Sequence, residues 1–84
     1  MNIVIVAPGL MEIPPKGWGA VESVVWDYKC YLEYLGNAVY VINTQNNDSI
    51  IHECNRINPD LIHIHYDRHY SICEKVKCKN IIIT

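Results

Sequence analysis

The sequence predicts an α/β fold on a doubly wound parallel sheet, and three observations carry that reading. Four short runs rich in β-branched apolar residues, at 2–7, 38–42, 61–65 and 80–84, alternate with segments whose apolar residues recur at helical spacing. Prolines and glycines fall mainly between these runs, where turns belong. The length of 84 residues holds about four strands and three helices in a single domain.

The run at 2–7, Asn-Ile-Val-Ile-Val-Ala, is apolar almost without interruption, the pattern of a strand covered on both faces, and Pro8-Gly9 ends it. Residues 10–19 carry Pro14, Pro15, Gly17 and Gly19, too many breakers for helix or strand. They form a loop of about ten residues, long for a strand-to-helix connection, and long loops in small domains are often functional.

Helical spacing then links Val21, Val24, Val25, Tyr28, Leu32 and Leu35, with Gly36 placed as a C-terminal cap. On this first helix Glu22, Asp27 and Glu33 read as a solvated face, and Glu22 in the first turn complements the helix dipole. Trp26, Cys30 and Tyr34 form a separate ridge, for extra packing or for contact with another part of the protein. The second strand, 38–42, is followed by turn residues and a cap within 43–48. Ile50, Ile51, Cys54 and Ile57 make a short second helix, which Pro59 stops because proline disfavours helix in the residue before it. The third strand follows at 61–65, a poorer helix packed through Tyr70, Cys73 and Val76 occupies 67–77, and a fourth strand spans 80–84. Short right-handed crossovers predict the strand order 3-2-1-4. No helix follows the fourth strand to cover the sheet, so the expectation is one incomplete domain over 1–84, part of something longer.

Composition narrows the function. Half of the residues are hydrophobic and 19% charged, which is globular and too apolar for a disordered tail. A net charge of -2 offers no electrostatic attraction for nucleic acid or an acidic membrane, so no nucleic-acid partner is expected. Cys30, Cys54, Cys73 and Cys78 include no C-x-x-C pair, and the first apolar run is too short for a secretory signal or a membrane span. Free thiols in a reducing, cytoplasmic compartment are the expectation.

Gly17-Trp18-Gly19 ahead of a helix can offer backbone N–H groups to an anion, or can simply let the loop turn. The dinucleotide fingerprint fails, because its third glycine would fall at Glu22 and no acidic residue ends the second strand, where Asn43-Thr44 stands; a Walker loop fails for lack of G-K-[ST]. His63, His65, His69 and Cys73 are the densest set of metal-ligand types, in two pairs that would have to converge, and their spacing matches no known zinc pattern. The alternative places His63 hydrogen-bonded within the sheet and His65 at the crevice beyond the strand ends, where open α/β sheets bind ligands. The expected site set contains His65 and no metal ligands.

Ala7-Pro8-Gly9-Leu10-Met11, then Ile13-Pro14-Pro15-Lys16-Gly17-Trp18-Gly19-Ala20-Val21-Glu22, closely resembles the amino-terminal domain of the GT-B glycosyltransferases of family 4. The likeness continues through Tyr34-Leu35-Gly36 and from Pro59 to His65, covering nearly all 84 residues but only the first part of the family's enzymes. The resemblance implies a Rossmann-like acceptor-side domain that faces a second domain across a cleft. It implies retaining, metal-independent transfer of a hexosyl group from a nucleotide sugar, a co-substrate rather than a cofactor, to a glycan, lipid or small-molecule acceptor. It puts Gly17, Trp18, Gly19 and Ala20 against the donor's diphosphate, although many relatives have a second glycine where this chain has Ala20. The family's groups for the nucleotide sugar lie in the second domain, and its histidine after strand four would fall beyond Thr84, so this chain alone is expected to be inactive. The alternative from another class is a non-catalytic α/β module that binds a sugar or a partner.

Overall fold

The apolar run at the start of the chain becomes the centre of the sheet. In the computed structural model, which describes residues 1–17, 19–65 and 67–84 and only the backbone at 67 and 68, β1 (Asn2–Ala7) pairs on one side with β2 (Ala38–Asn43). On its other side it pairs with β3 (Leu61–Ile64), which pairs in turn with β4 (Ile81–Ile83). All three pairings are parallel. Helix α1 (Ala20–Tyr34) links β1 to β2, α2 (Asn47–Ile57) links β2 to β3, and a 3₁₀ helix (Asp67–Glu74) links β3 to β4. This is a Rossmann-like α/β arrangement, with every element of the sequence reading present.

The strand order is β2-β1-β3-β4 rather than 3-2-1-4. The winding reverses one element earlier than expected, after β2. The reason lies in which strands can accept two neighbours: β1 is buried on both faces from Ile3 to Ala7, whereas β2 leaves Ala38, Tyr40 and Asn43 exposed and suits an edge. Reversal sends α1 and α2 to opposite faces. On one face Val4, Val6, Ile62 and Ile64 pack with Ile50 and Cys54 of α2 and with Ile72 of the 3₁₀ helix. On the other, Ile3, Ile5, Ala7 and Val39 pack with Val25 of α1. Each fully buried aliphatic side chain contributes about 1.5–3 kcal/mol, so these two layers dominate the stability.

Local chemistry sets the helix ends. Asn46 caps α2, its side chain accepting from Ser49 N at 3.0 Å, and Asn58 closes it in the left-handed conformation, φ 52°, just ahead of Pro59. The third helix is 3₁₀ rather than α; Cys73 and, just past its end, Val76 pack on the core as expected, but Tyr70 is exposed, and His69 and Ile72 are buried in its place. With three residues per turn, positions 69 and 72 stand above one another and both reach the core.

Helix α1 keeps only part of its expected face, since Val25 is buried and Leu32 packs against the same core. Only Glu22 and Val25 are buried on it, while Val21, Val24, Tyr28 and Leu35 are exposed. Glu22, expected in solvent, is 5% exposed. The rest of the expected core stripe faces sideways, toward β3 and β4, whose surface on this side no helix covers among the described residues. On the predicted ridge, Trp26 is half-buried with Lys29 Nζ 5.1 Å from its ring centre, and Cys30 and Tyr34 are exposed.

Candidate functional site

With order β2-β1-β3-β4, the topological switch point lies between β1 and β3, and the crevice beyond their C-terminal ends is where such sheets hold ligands. The loop after β1 enters this crevice and is tied down by β2. Gly9 N donates to Asn43 Oδ1 at 3.0 Å, Asn43 Nδ2 donates to Met11 O at 2.7 Å, and Gln45 Nε2 donates to Gly9 O at 3.2 Å. Gly9 has φ +77°, and a Cβ there would stand 2.4 Å from the Thr44 carbonyl carbon, so only glycine allows this approach. Asn43 is the positioning residue that sequence reasoning missed. Its signal was an asparagine ending one strand beside the Pro-Gly turn that ends another.

A hollow of about 300 Å³ opens at the switch point, lined by Leu10, Met11, Gly19, Ala20, Glu22 and His65 among others. Three of the expected site residues, Gly19, Ala20 and His65, therefore come together. Gly17 is not among the lining residues, and Trp18 lies outside the described residues. The two glycines differ. A Cβ on Gly17 meets nothing within 4 Å, whereas one on Gly19 would come 3.1 Å from both Pro15 Cβ and Glu22 Oε1. Gly19 is extended, with φ -170°, so its requirement is close packing and not backbone freedom. It is the N-cap of α1 and supplies no side-chain hydrogen bond, which leaves the first-turn N–H groups of the helix without a capping side chain.

His65 extends the β1–β3 pairing, its N–H donating to Val6 O at 2.9 Å. Its side chain borders both this hollow and a neighbouring one of about 320 Å³ lined by Ala20, Val21, Val24 and Thr84. Burial, and secondarily His63, push its pKa down to about 4, so the ring is neutral at pH 7, and its buried Nε2 has no hydrogen-bond partner among the described residues. His63 lies beside it with ring centres 4.0 Å apart; burial also lowers its pKa, and Nε2 meets Thr84 Oγ1 at 3.2 Å. Tyr28 of α1 lies 5.7 Å from both rings. His69 instead meets Asn47 Oδ1 at 3.1 Å, and Cys73 packs on the α2 side of the sheet, so the His63–His65 and His69–Cys73 pairs do not converge. Among the described residues no three His, Cys, Asp or Glu side chains cluster as metal ligands.

Along α1, Val24, Tyr28, Tyr31, Leu32 and Leu35 line a third, more apolar hollow of about 410 Å³. No helix among the described residues is long and apolar enough to cross a membrane. Comparison with protein-family models, with curated proteins and with solved structures finds no match to the chain.

Proposed function

We propose that this chain is the amino-terminal, acceptor-side part of a cytoplasmic glycosyltransferase that moves a sugar from a nucleotide-sugar donor to an acceptor. The observation that carries the reading is the meeting of the Gly19–Ala20 start of α1 with His65 around one hollow at the switch point, two segments that both belong to the resemblance with family 4 of the GT-B enzymes. A sheet edge, a helix start and a neutral imidazole can hold and orient a substrate. They supply no group to stabilise a departing nucleotide, which in that family is the work of the second domain.

The 84-residue chain therefore transfers no sugar when incubated with a panel of nucleotide sugars and acceptors, while the complete reading frame carrying a second α/β domain does. Turnover by the pure chain, or none by the complete protein, overturns the reading. A second reading, a non-catalytic binding module, is favoured by the apolar hollow along α1 and is supported if the gene stops after Thr84.

A further inference from the structure

Among the described residues β4 has a neighbour on one side only. The ladder to β3 takes Asn80 O, which accepts from Ile62 N–H at 2.9 Å, and Thr84 N–H, which donates to Ile64 O at 3.0 Å. Backbone groups alternate sides along a strand, so Ile82 also faces β3, and the N–H and C=O groups of Ile81 and Ile83 point outward. The side chains at this edge are apolar, with Ile82 46% and Ile83 40% exposed. Residues 80–84, Asn-Ile-Ile-Ile-Thr, carry neither a charge nor a proline, the usual means of blunting an open edge. The opposite edge is different. At β2 the aliphatic side chains of Val39 and Ile42 are already buried in the protein's own core, so pairing there gains less.

We propose that the outer edge of β4 pairs with the same edge of a second copy of this chain, antiparallel, about a two-fold axis at Ile82. The strand is self-complementary in that register. Ile81 stands opposite the partner's Ile83, and Ile83 opposite the partner's Ile81. Each of these pairs exchanges both of its N–H···O bonds, so every outward backbone group of Ile81 and Ile83 is satisfied. Ile82 meets the partner's Ile82 as the non-hydrogen-bonded pair, where side chains come closest. Ile82 lies in register with His63, on the side of the sheet that α1 covers only in part, so the contact buries surface that the chain itself leaves exposed. Three residues a side bury less than the roughly 1,200 Å² of a stable interface, which makes the pair reversible, with Kd on the order of 10–100 µM. None of this rests on the transferase reading.

Sedimentation equilibrium of the 84-residue chain at pH 7, from about 5 to about 500 µM, tests the proposal. The mass is expected to rise from one chain toward two and to stop there, because a two-fold contact closes on itself. Hydrogen exchange at the upper concentration should slow at the Ile81 and Ile83 amides and stay unchanged at Ile82. Ile83→Pro removes an outward N–H while leaving the ladder to β3 whole, and should abolish the dimer in a folded chain. Ile82→Lys sets two ammonium groups opposite each other and should weaken pairing at least tenfold, which keeps the test valid if Ile83→Pro does not fold. The proposal fails if the chain stays monomeric throughout, if it assembles beyond two, or if folded Ile82→Lys dimerises undiminished. It fails too if Val24→Glu with Tyr31→Glu abolishes the dimer, since the contact then lies along α1.

Discussion

A valine at Gly19 would press on Pro15 and Glu22, whereas an alanine at Gly17 would touch nothing. Gly19→Val is expected to cost about 1–3 kcal/mol of stability through overpacking, and Gly17→Ala to stay within about 0.5 kcal/mol of the parent, as read by urea unfolding. Equal effects at the two glycines would contradict the packing described here. Lost activity in Gly19→Val would thus report on the loop's packing before it reported on any ligand. His65 carries a pH prediction. Its pKa falls from 6.5 to about 4 on folding, so the unfolded chain takes up the proton first. The stability is present above about pH 6.5 and drains as pH falls toward 4. Thermal midpoints across that window should fall less steeply in His65→Gln than in the parent; parallel curves would refute the assignment.

At the scale of elements, Ile72 shows why the 3₁₀ helix matters: it is 1% exposed and helps bury the α2 side of the sheet. Ile72→Ala is expected to destabilise by about 2–5 kcal/mol, while Tyr70→Ala on the exposed side changes little. The opposite ranking would mean that the helix packs through the face first read from its sequence. Strands and helices were readable because their signals are local: the apolar run of β1, the Asn46 cap and the Asn58-Pro59 stop each act within a few residues. Strand order was not, because it depends on which sheet face the Ile50 and Cys54 stripe of α2 selects, and no local window contains that choice. Helix α1 misled for a related reason. Of the residues with core spacing, Val25 and Leu32 reach the core but Val21, Val24 and Tyr28 do not, and the buried stripe takes in Glu22, a carboxylate being a poor advertisement for burial. Of the residues that line the hollow, Gly19 and His65 were legible as candidates from loop chemistry and a strand end, and Ala20 from the family resemblance. The Asn43 clamp and the burial of Glu22 needed the fold.

The whole molecule is lopsided. Among the described residues one face of the sheet is covered by two helices and the other by α1 alone, leaving Ile82 and the α1 side stripe exposed. A fluorescent apolar dye is expected to bind the native chain along that stripe. The double change Val24→Glu and Tyr31→Glu should reduce the signal several-fold with little change in stability, since both side chains are substantially exposed. Undiminished dye binding by a folded double variant would place the sticky surface elsewhere.

A last consequence concerns the order in which the chain is made. Of the four strands, β1 is made before the others, yet it ends enclosed on both edges, and its second neighbour, β3, is synthesised more than fifty residues later. Until then the nascent chain can offer β1 only α1 and β2, with one long isoleucine- and valine-rich edge unpaired. Birth at the centre makes this strand the piece most in need of shelter during translation. A ribosome stalled before residue 61 should therefore expose a chaperone-binding β1, and release of that chaperone should follow the emergence of β3.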